Sequence, residues 1–232
     1  MAKIIGNEKL SKDMFLLTIE GNFSGRIGQF YMIRGWKEYP LLSRPLSIHD
    51  INNEGISFLY KVLGKGTSKL SKLKKGDNIT IQGPYGNGFP KAEGKVALIG
   101  GGMGIAPLFY TAKKLHKKVD KLDIYMGFRE ESILVDKYKK YADESYISIG
   151  SNITDNLDIN KYDYILTCGP EPMMKKISEM REDNKTKIYV SMEKHMACGI
   201  GACLVCSCET KSGMSRVCKD GPVYLSEEVF YE

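Results

Sequence analysis

The stretch Lys95-Val96-Ala97-Leu98-Ile99-Gly100-Gly101-Gly102-Met103-Gly104-Ile105-Ala106-Pro107 decides how this chain is to be read. Lys95 to Gly100 is an apolar run of strand length. The glycines turn the chain tightly, and Pro107 suits the first turn of a helix, where its missing N–H has no partner to lose. A strand, a glycine loop and a helix start, in that order, form a nucleotide loop, because bare backbone N–H groups can converge on phosphate. Pro107 stands where the third glycine of Gly-x-Gly-x-x-Gly would be, so the dinucleotide fingerprint itself is absent. A purely structural turn is the alternative.

Downstream, residues 93–188 keep alternating. A helix is expected over Ala106 to Lys118, with Leu108, Ala112, Leu115 and Val119 on one face. Strands are expected over Leu122 to Met126 and Tyr164 to Thr167, and helices over Ser132 to Tyr141 and Met173 to Arg181. This pattern predicts a parallel sheet with helices on its faces. Cys168-Gly169-Pro170 ends one of these strands, and ligands bind at such ends. Cys168 alone reads equally as a small buried hydrophobe. Glu130 and Glu131 follow the strand that ends near Gly127. An acid there can accept from a ribose 2′-hydroxyl, which favours NAD over NADP; an exposed acid at a helix start explains them as well.

Upstream, residues 1–92 are strand-rich. Phe15 to Ile19, Gln29 to Ile33, Ile56 to Val62 and Asn78 to Ile81 are short β-branched or aromatic runs separated by turn signals. Many short strands at this spacing predict a small antiparallel barrel. Within it, Leu42-Ser43-Arg44-Pro45-Leu46-Ser47-Ile48 offers an arginine able to pair with a pyrophosphate and a serine three residues on. Taken alone, an exposed strand-end arginine explains Arg44 better. Gly64-Lys65-Gly66-Thr67 precedes an expected helix over Ser68 to Leu73. It reads equally as a phosphate cradle or a plain turn.

Residues 189–232 carry five of the six cysteines, all between 198 and 218. The pattern is Cys198-x4-Cys203-x2-Cys206-x11-Cys218. Its first three spacings are those of a plant-type 2Fe–2S centre. Gly199, Gly201 and Ala202 leave room for backbone N–H groups to approach the sulfurs. Leu204 to Thr210 and Met214 to Val217 read as strands joined at Lys211-Ser212-Gly213, which folds Cys218 back toward Cys206 to Cys208. A zinc ribbon is the alternative, but it needs two paired knuckles, and only one x2 pair is present. Cys208 is on the face of Cys206 and reads as a bystander that can compete as ligand. A unit this small and glycine-rich needs such a site to hold it together.

The composition sets limits. The chain has 232 residues, 42% hydrophobic and 27% charged, with a formal net charge of +6. Its lysines are scattered among acids, so they read as solvated faces and not as a nucleic-acid surface. No apolar run reaches the roughly 18 residues that cross a bilayer, and the N-terminus lacks a signal peptide's apolar core. The expected location is the cytoplasm. Clustered cysteines fit metal ligation better than disulfides there.

Together, Arg44-Pro45-Leu46-Ser47, Leu59-Tyr60-Lys61, Gly66-Thr67, Gly100 to Pro107, Cys168-Gly169-Pro170, the cysteine loop and Val217 to Val223 resemble the ferredoxin-NADP reductase superfamily. The tail resembles the dihydroorotate dehydrogenase B electron-transfer subunits within it. That resemblance implies three units: an FAD-binding β-barrel at 1–92, an NAD-binding α/β domain at 93–188 and a 2Fe–2S domain at 189–232. It implies FAD contacts from Arg44, Pro45, Leu46, Ser47, Leu59, Tyr60, Lys61, Gly66 and Thr67. NAD contacts would come from Gly101, Gly102, Met103, Gly104, Cys168, Gly169 and Pro170. The cluster ligands would be Cys198, Cys203, Cys206 and Cys218. It further implies an FMN-containing catalytic subunit that oxidises dihydroorotate, two of each chain forming a heterotetramer. No catalytic acid or base is then required on this chain. A related subunit of ferredoxin:NADP oxidoreductase or sulfide dehydrogenase type is the alternative. The interval from Cys206 to Cys218 is short for the family and implies a trimmed hairpin.

Overall fold

The computed structural model describes residues 1–181 and 185–231. Its N-terminal strands are β1 (Ala2–Lys9), β2 (Met14–Glu20), β3 (Phe30–Arg34), β4 (Arg44–Ser47), β5 (Asp50–Ile51), β6 (Gly55–Lys61) and β7 (Asn78–Tyr85), with helix α1 (Lys65–Leu70) between the last two. They pair in the order β4-β3-β7-β1-β2-β6-β5, every pairing antiparallel. The two ends of that order are consecutive in the chain, with only Ile48 and His49 between them. Ile48 N–H donates to the Gln29 carbonyl (3.0 Å) and His49 N–H to the Ser57 carbonyl (2.9 Å). One segment therefore joins both edges, and the sheet closes into the expected barrel. Ile4, Leu17, Ile19, Ile33, Ile48, Ile56 and Phe58 fill it and are fully buried. Sequence reading missed β1 and β4 as strands, because Ala2–Lys9 and Arg44–Ser47 carry too many polar, glycine or proline residues to show a β pattern.

The second sheet runs β8 (Lys95–Gly101), β9 (Lys121–Phe128), β10 (Glu144–Ile149), β11 (Tyr164–Cys168) and β12 (Lys187–Ser191), in the order β10-β9-β8-β11-β12, all parallel. Helices α2 (Ala106–Leu115), α3 (Val135–Lys139) and α4 (Glu171–Glu179) accompany it. Helix α2 stops earlier than expected, because His116 is extended and Lys117 takes a left-handed φ of 60°. Strands β8 and β11 are neighbours, although β9 follows β8 in the chain. The loops after β8 and β11 thus flank a topological switch point, where an open α/β sheet binds its ligand.

The C-terminal segment departs from the expected division. The sheet runs on to Ser191, so a boundary at 188 would cut β12. Beyond the short hairpin of β13 (Ser207–Thr210) and β14 (Gly213–Arg216), strand β15 (Val223–Leu225) returns to pair antiparallel with β12; helix α5 (Ser226–Val229) follows it. The neck of this excursion is closed by Met192 N–H donating to the Pro222 carbonyl (2.8 Å). The cysteine unit has almost no core of its own. Cys206, Val217 and Cys218 share a core with Phe30 and Met32 of the barrel and with Ile165, Ile188 and Val190 of the parallel sheet. Asn87 clips it to the barrel, its N–H reaching the Gly221 carbonyl (2.5 Å) and its side-chain amide the Asp220 carbonyl (2.8 Å).

Helix α2 holds the barrel to the parallel sheet. Tyr110 enters the barrel core, and Lys113 pairs with Asp50 at 2.8 Å. His49, only 2% exposed, stacks on Phe109 (4.7 Å between centroids), with Nδ1 3.1 Å from the Ala106 carbonyl. The acceptor is a carbonyl, so Nδ1 carries the proton. Burial pushes the imidazole pKa down to about 4, partly opposed by that hydrogen bond; the charge of Lys137 lowers it further. In the unfolded chain the ring titrates near 6.5, so the unfolded state takes up the proton first as pH falls. This stabilisation is complete above about pH 6.5 and is lost toward pH 4. At pH 4.5 the loss from this ring is about 2.5 kcal/mol. Denaturant titrations at pH 7 and pH 4.5 should show His49→Phe losing less stability on acidification than the parent by about that amount.

Candidate cofactor sites

Antiparallel register sorts the Arg-Pro-Leu-Ser strand into two faces. Pro45 lies opposite Met32 and Ser47 opposite Phe30, outside the barrel, while Leu46 lies opposite Tyr31 and packs inward. On β6 the same alternation turns Leu59 and Lys61 outward and buries Tyr60, whose hydroxyl donates to Asn7 Oδ1 (3.1 Å) and whose pKa burial raises to about 12. A cleft of about 250 Å³ opens on this outer face. Arg44, Pro45, Leu46, Ser47, Leu59, Tyr60, Lys61 and Thr67 line it. Its opposite wall is Met103 and Ala106 from the nucleotide loop, and Ser191 to Lys194, Met196 and Pro222 from the C-terminal segment.

Gly66 and the Thr67 side chain are both engaged within the protein. Gly66 is buried under Arg44, and a Cβ there would fall 2.8 Å from Arg44 Cζ. The Thr67 hydroxyl accepts from the Leu63 and Gly64 N–H groups (3.0 and 3.2 Å) and donates to the Gly64 carbonyl (3.1 Å), so it is committed to its own turn. The helix here begins at Lys65, three residues before the expected start, because that turn is capped by Thr67.

A second cleft, about 340 Å³, lies at the switch point of the parallel sheet. Gly101, Gly102, Met103 and Gly104 face Gly169, Pro170 and Glu171 across it. Only Gly102 (φ +55°) has open space where a Cβ would stand. A side chain on Gly104 would strike the Cys168 carbonyl, and one on Gly101 would reach Pro170 and Met173. Two of the glycines therefore pack the loops together, and Gly102 opens the floor. Cys168 departs from expectation: it is 2% exposed and its side chain lines neither cleft. Burial, then the nearby Glu193 charge, raise its pKa, which the Ser191 contact only partly offsets. Met103, Met192 and Glu193 line both clefts, so the two cavities share a wall.

The cysteines form two pairs. Cys198 takes hydrogen bonds from the Ile200, Cys203 and Ala202 N–H groups and from the Cys203 thiol. These draw its pKa down to about 6, the Ile200 N–H having the largest effect. Cys218 accepts from Gly201 N–H (3.1 Å), and its own N–H points at Cys206 Sγ (3.4 Å). Burial first, and then Cys206, raise the Cys218 thiol to about 12. Among the described residues no three His, Cys, Asp or Glu side chains converge as a single ion requires. Two cysteine pairs held by backbone N–H groups fit a two-iron cluster, each pair on one iron, better than a mononuclear zinc site. Gly199 and Gly201 both have positive φ (74° and 81°), and side chains there would meet Met32 and Lys219. The hairpin turns through Lys211-Ser212 alone, Thr210 pairing with Gly213, and Val217 N–H to the Cys206 carbonyl (3.1 Å) returns Cys218 to Cys206. Cys208 instead faces Tyr224, whose hydroxyl also meets Ser215 (2.8 Å).

Residues 193–230 match the family described as the iron-sulfur cluster binding domain of dihydroorotate dehydrogenase B. Over 98% of this chain and 95% of the relative, the sequence is 50% identical to the dihydroorotate dehydrogenase B (NAD(+)) electron transfer subunit of Clostridium acetobutylicum. The chain belongs to the family of dihydroorotate dehydrogenase B electron transfer subunits. The corresponding subunit of Clostridium perfringens is 45% identical over 98% of this chain and 96% of its own. Among solved structures, the NADH-dependent reduced ferredoxin-NADP oxidoreductase superposes with a TM-score of 0.85 at 30% identity, covering 99% of this chain and 89% of that one. A ferredoxin NADP+ reductase from Neisseria gonorrhoeae shares the fold (TM-score 0.64, 13% identity, 82% of this chain and 96% of that one).

As a member of the dihydroorotate dehydrogenase B electron transfer family, the chain shows site residues that spacing did not reveal. Arg216 and Asp220 clamp the loop that carries Cys218. Arg216 Nε and Nη2 meet the Asp220 carboxylate at 2.9 and 3.1 Å, and Arg216 N–H donates to it at 3.0 Å. Their i, i+4 spacing around Cys218, a candidate ligand, was a visible signal. Phe30, Met196 and Glu193 carried none, since each reaches its cleft only through the fold. Iron and sulfide analysis of anaerobically purified variants should find Cys208→Ser close to the parent, Cys218→Ser depleted by more than half, and Asp220→Ala losing iron faster under chelator.

Proposed function

We propose that this chain passes electrons from an FMN-bearing, dihydroorotate-oxidising catalytic subunit to NAD+, using a 2Fe–2S cluster on Cys198, Cys203, Cys206 and Cys218 and FAD in the barrel cleft. The observation that carries this reading is the shared walls. The barrel cleft meets the nucleotide cleft at Met103, Met192 and Glu193, and it meets the cysteine unit at Met196, two residues before Cys198. FAD supplies the one chemistry that exchanges hydride with a nicotinamide and single electrons with an iron–sulfur centre.

The chain's own residues hold and shield. Arg44 offers a guanidinium to a pyrophosphate. The outward backbone of Pro45 to Ser47 and Leu59 to Lys61 presents donors and acceptors along one side of the cleft. Gly102, with the backbone of Gly169 and Pro170, admits a dinucleotide at the end of the parallel sheet, with NAD the form taken. N–H groups of Ile200, Ala202, Cys203 and Gly201 aim at ligand sulfurs and favour their negative charge. Around them Ile200, Leu204 and Val205 are 57%, 60% and 55% exposed. An apolar surface beside the cysteines supports docking of the catalytic subunit there, in an assembly of two copies of each chain. Among the described residues no helix is long and apolar enough to cross a membrane.

Anaerobic purification of the chain should give about two irons and two sulfides, with FAD, per polypeptide, and a reduced-state EPR signal. NADH oxidation with artificial acceptors should proceed on the chain alone. Dihydroorotate-dependent reduction of NAD+ should need the co-expressed partner. Colourless, zinc-containing protein would sink the reading.

A further inference from the structure

Arg34 and Trp36 lie outside every site described so far, yet they organise the arginine at the rim of the flavin cleft. Arg34 ends β3 and gathers the following loop around its guanidinium. Nε donates to the Trp36 carbonyl (2.9 Å), Nη1 to Leu41 (3.0 Å), and Nη2 to Lys37 (2.6 Å) and Glu38 (2.9 Å). Trp36 Nε1–H closes the loop on the Pro40 carbonyl. Charge-assisted bonds of this kind give a loop without sheet pairing a fixed shape.

The shape delivers the Trp36 ring to Arg44, whose Cζ stands 5.7 Å from its centroid. Gly66 also packs against the guanidinium, where any Cβ would be 2.8 Å from Arg44 Cζ and Nη2. Lys65, beside Gly66, lies over Tyr39 of the same loop (5.0 Å), tying the two sides together. Arg44 Nη1 donates to the carbonyls of Leu42 and Ser43 (2.9 and 3.3 Å). Among the described residues Nε and Nη2 have no protein acceptor, and no carboxylate pairs with the guanidinium. A cation that touches an indole ring, a glycine and two carbonyls, lines the cleft and has no counter-charge is arranged for an anion that arrives from the cleft.

We propose that Trp36, held by Arg34, is a positioning residue for the dinucleotide: with Gly66 it fixes the Arg44 guanidinium in advance of the pyrophosphate. The inference rests on the reading of the barrel cleft as the FAD site. Its physical basis is that an arginine ordered beforehand loses little rotamer freedom on binding.

The test is FAD affinity of the full-length chain, stripped of flavin and titrated by flavin fluorescence. Trp36→Ala should bind FAD about three- to tenfold more weakly, the range of a partly exposed cation–π contact. In an Arg44→Ala background, adding Trp36→Ala should change affinity by less than about twofold, because the residue acts only through Arg44. Gly66→Ala should likewise weaken the parent and leave Arg44→Ala unmoved. Trp36 is the chain's single tryptophan, so its emission in flavin-free protein should shift on Arg44→Ala. If Trp36→Ala does not fold, Trp36→Leu, which keeps bulk but no ring face, has the same expectation. Parent-like affinity in the Trp36 variant, or losses that multiply with Arg44→Ala, would overturn the inference. A parent chain that binds no FAD would instead overturn the cleft reading.

Discussion

Residues 44–51 pair with two different strands in eight positions, and the rest of the molecule is arranged around that fact. The first half bonds to β3, the second to β6, and Ile48 and His49 make the crossing. Because the crossing closes the barrel, the pleat of the first half is fixed: Pro45 and Ser47 must face outward and Leu46 inward. Because His49 is buried against Ala106 and Phe109, the same crossing sets where the nucleotide loop stands relative to that outer face. One backbone constraint thus makes a cleft whose floor comes from one domain and whose wall comes from another.

Electrostatics follows the same division. Arg44 stays without a protein counter-charge at the rim, while most other cations near the core are paired, Lys113 with Asp50 and Arg216 with Asp220. Buried ionisable groups are kept neutral or compensated. His49 is neutral at physiological pH. Asp123, 1% exposed, accepts from the Tyr162 hydroxyl (2.8 Å) and stands 3.2 Å from Lys121 Nζ. Among the described residues Arg44 is a half-buried arginine without a carboxylate partner, which is what the proposed flavin site requires of it.

Much of this was legible in residue order, and the exceptions have physical causes. The alternation over 93–188 gave the parallel sheet because β8, β9 and β11 are buried on both faces and read as apolar runs; the half-exposed edge strand β10 did not. The hairpin turn brought Cys218 back toward Cys206 in the reading of the residues, whereas the contact of Cys198 with Cys203 is visible only in the folded loop. Strand β4 was hidden by Pro45 and by its own alternation of facing. Strand β12 runs past 188 to Ser191, and β15 joins it from beyond the cysteines; a strand of three residues leaves no periodic trace. Cys168 was placed at the ligand by its neighbours Gly169 and Pro170, while its own side chain is buried beside Ser191 and Glu193 and lines neither cleft. The contact of Trp36 with Arg44 was invisible because it depends on a loop shaped by Arg34 and by the Trp36 bond to Pro40.

The neck between Met192 and Pro222 gives the cysteine unit a particular standing in the architecture. The chain leaves the parallel sheet at β12, makes the cysteine loop and hairpin, and re-enters as the adjacent strand β15, with a single backbone hydrogen bond closing the base. Topologically the unit is a cassette inserted between neighbouring strands, with ends that already touch. Its insertion leaves the order of the parallel strands unaltered, and the entropy of closing so long a loop grows only slowly with its length. The same dinucleotide-binding body can therefore carry a longer, shorter or different excursion at this edge without redesign of the sheet, and the electron partner it serves can change while the nucleotide end stays as it is.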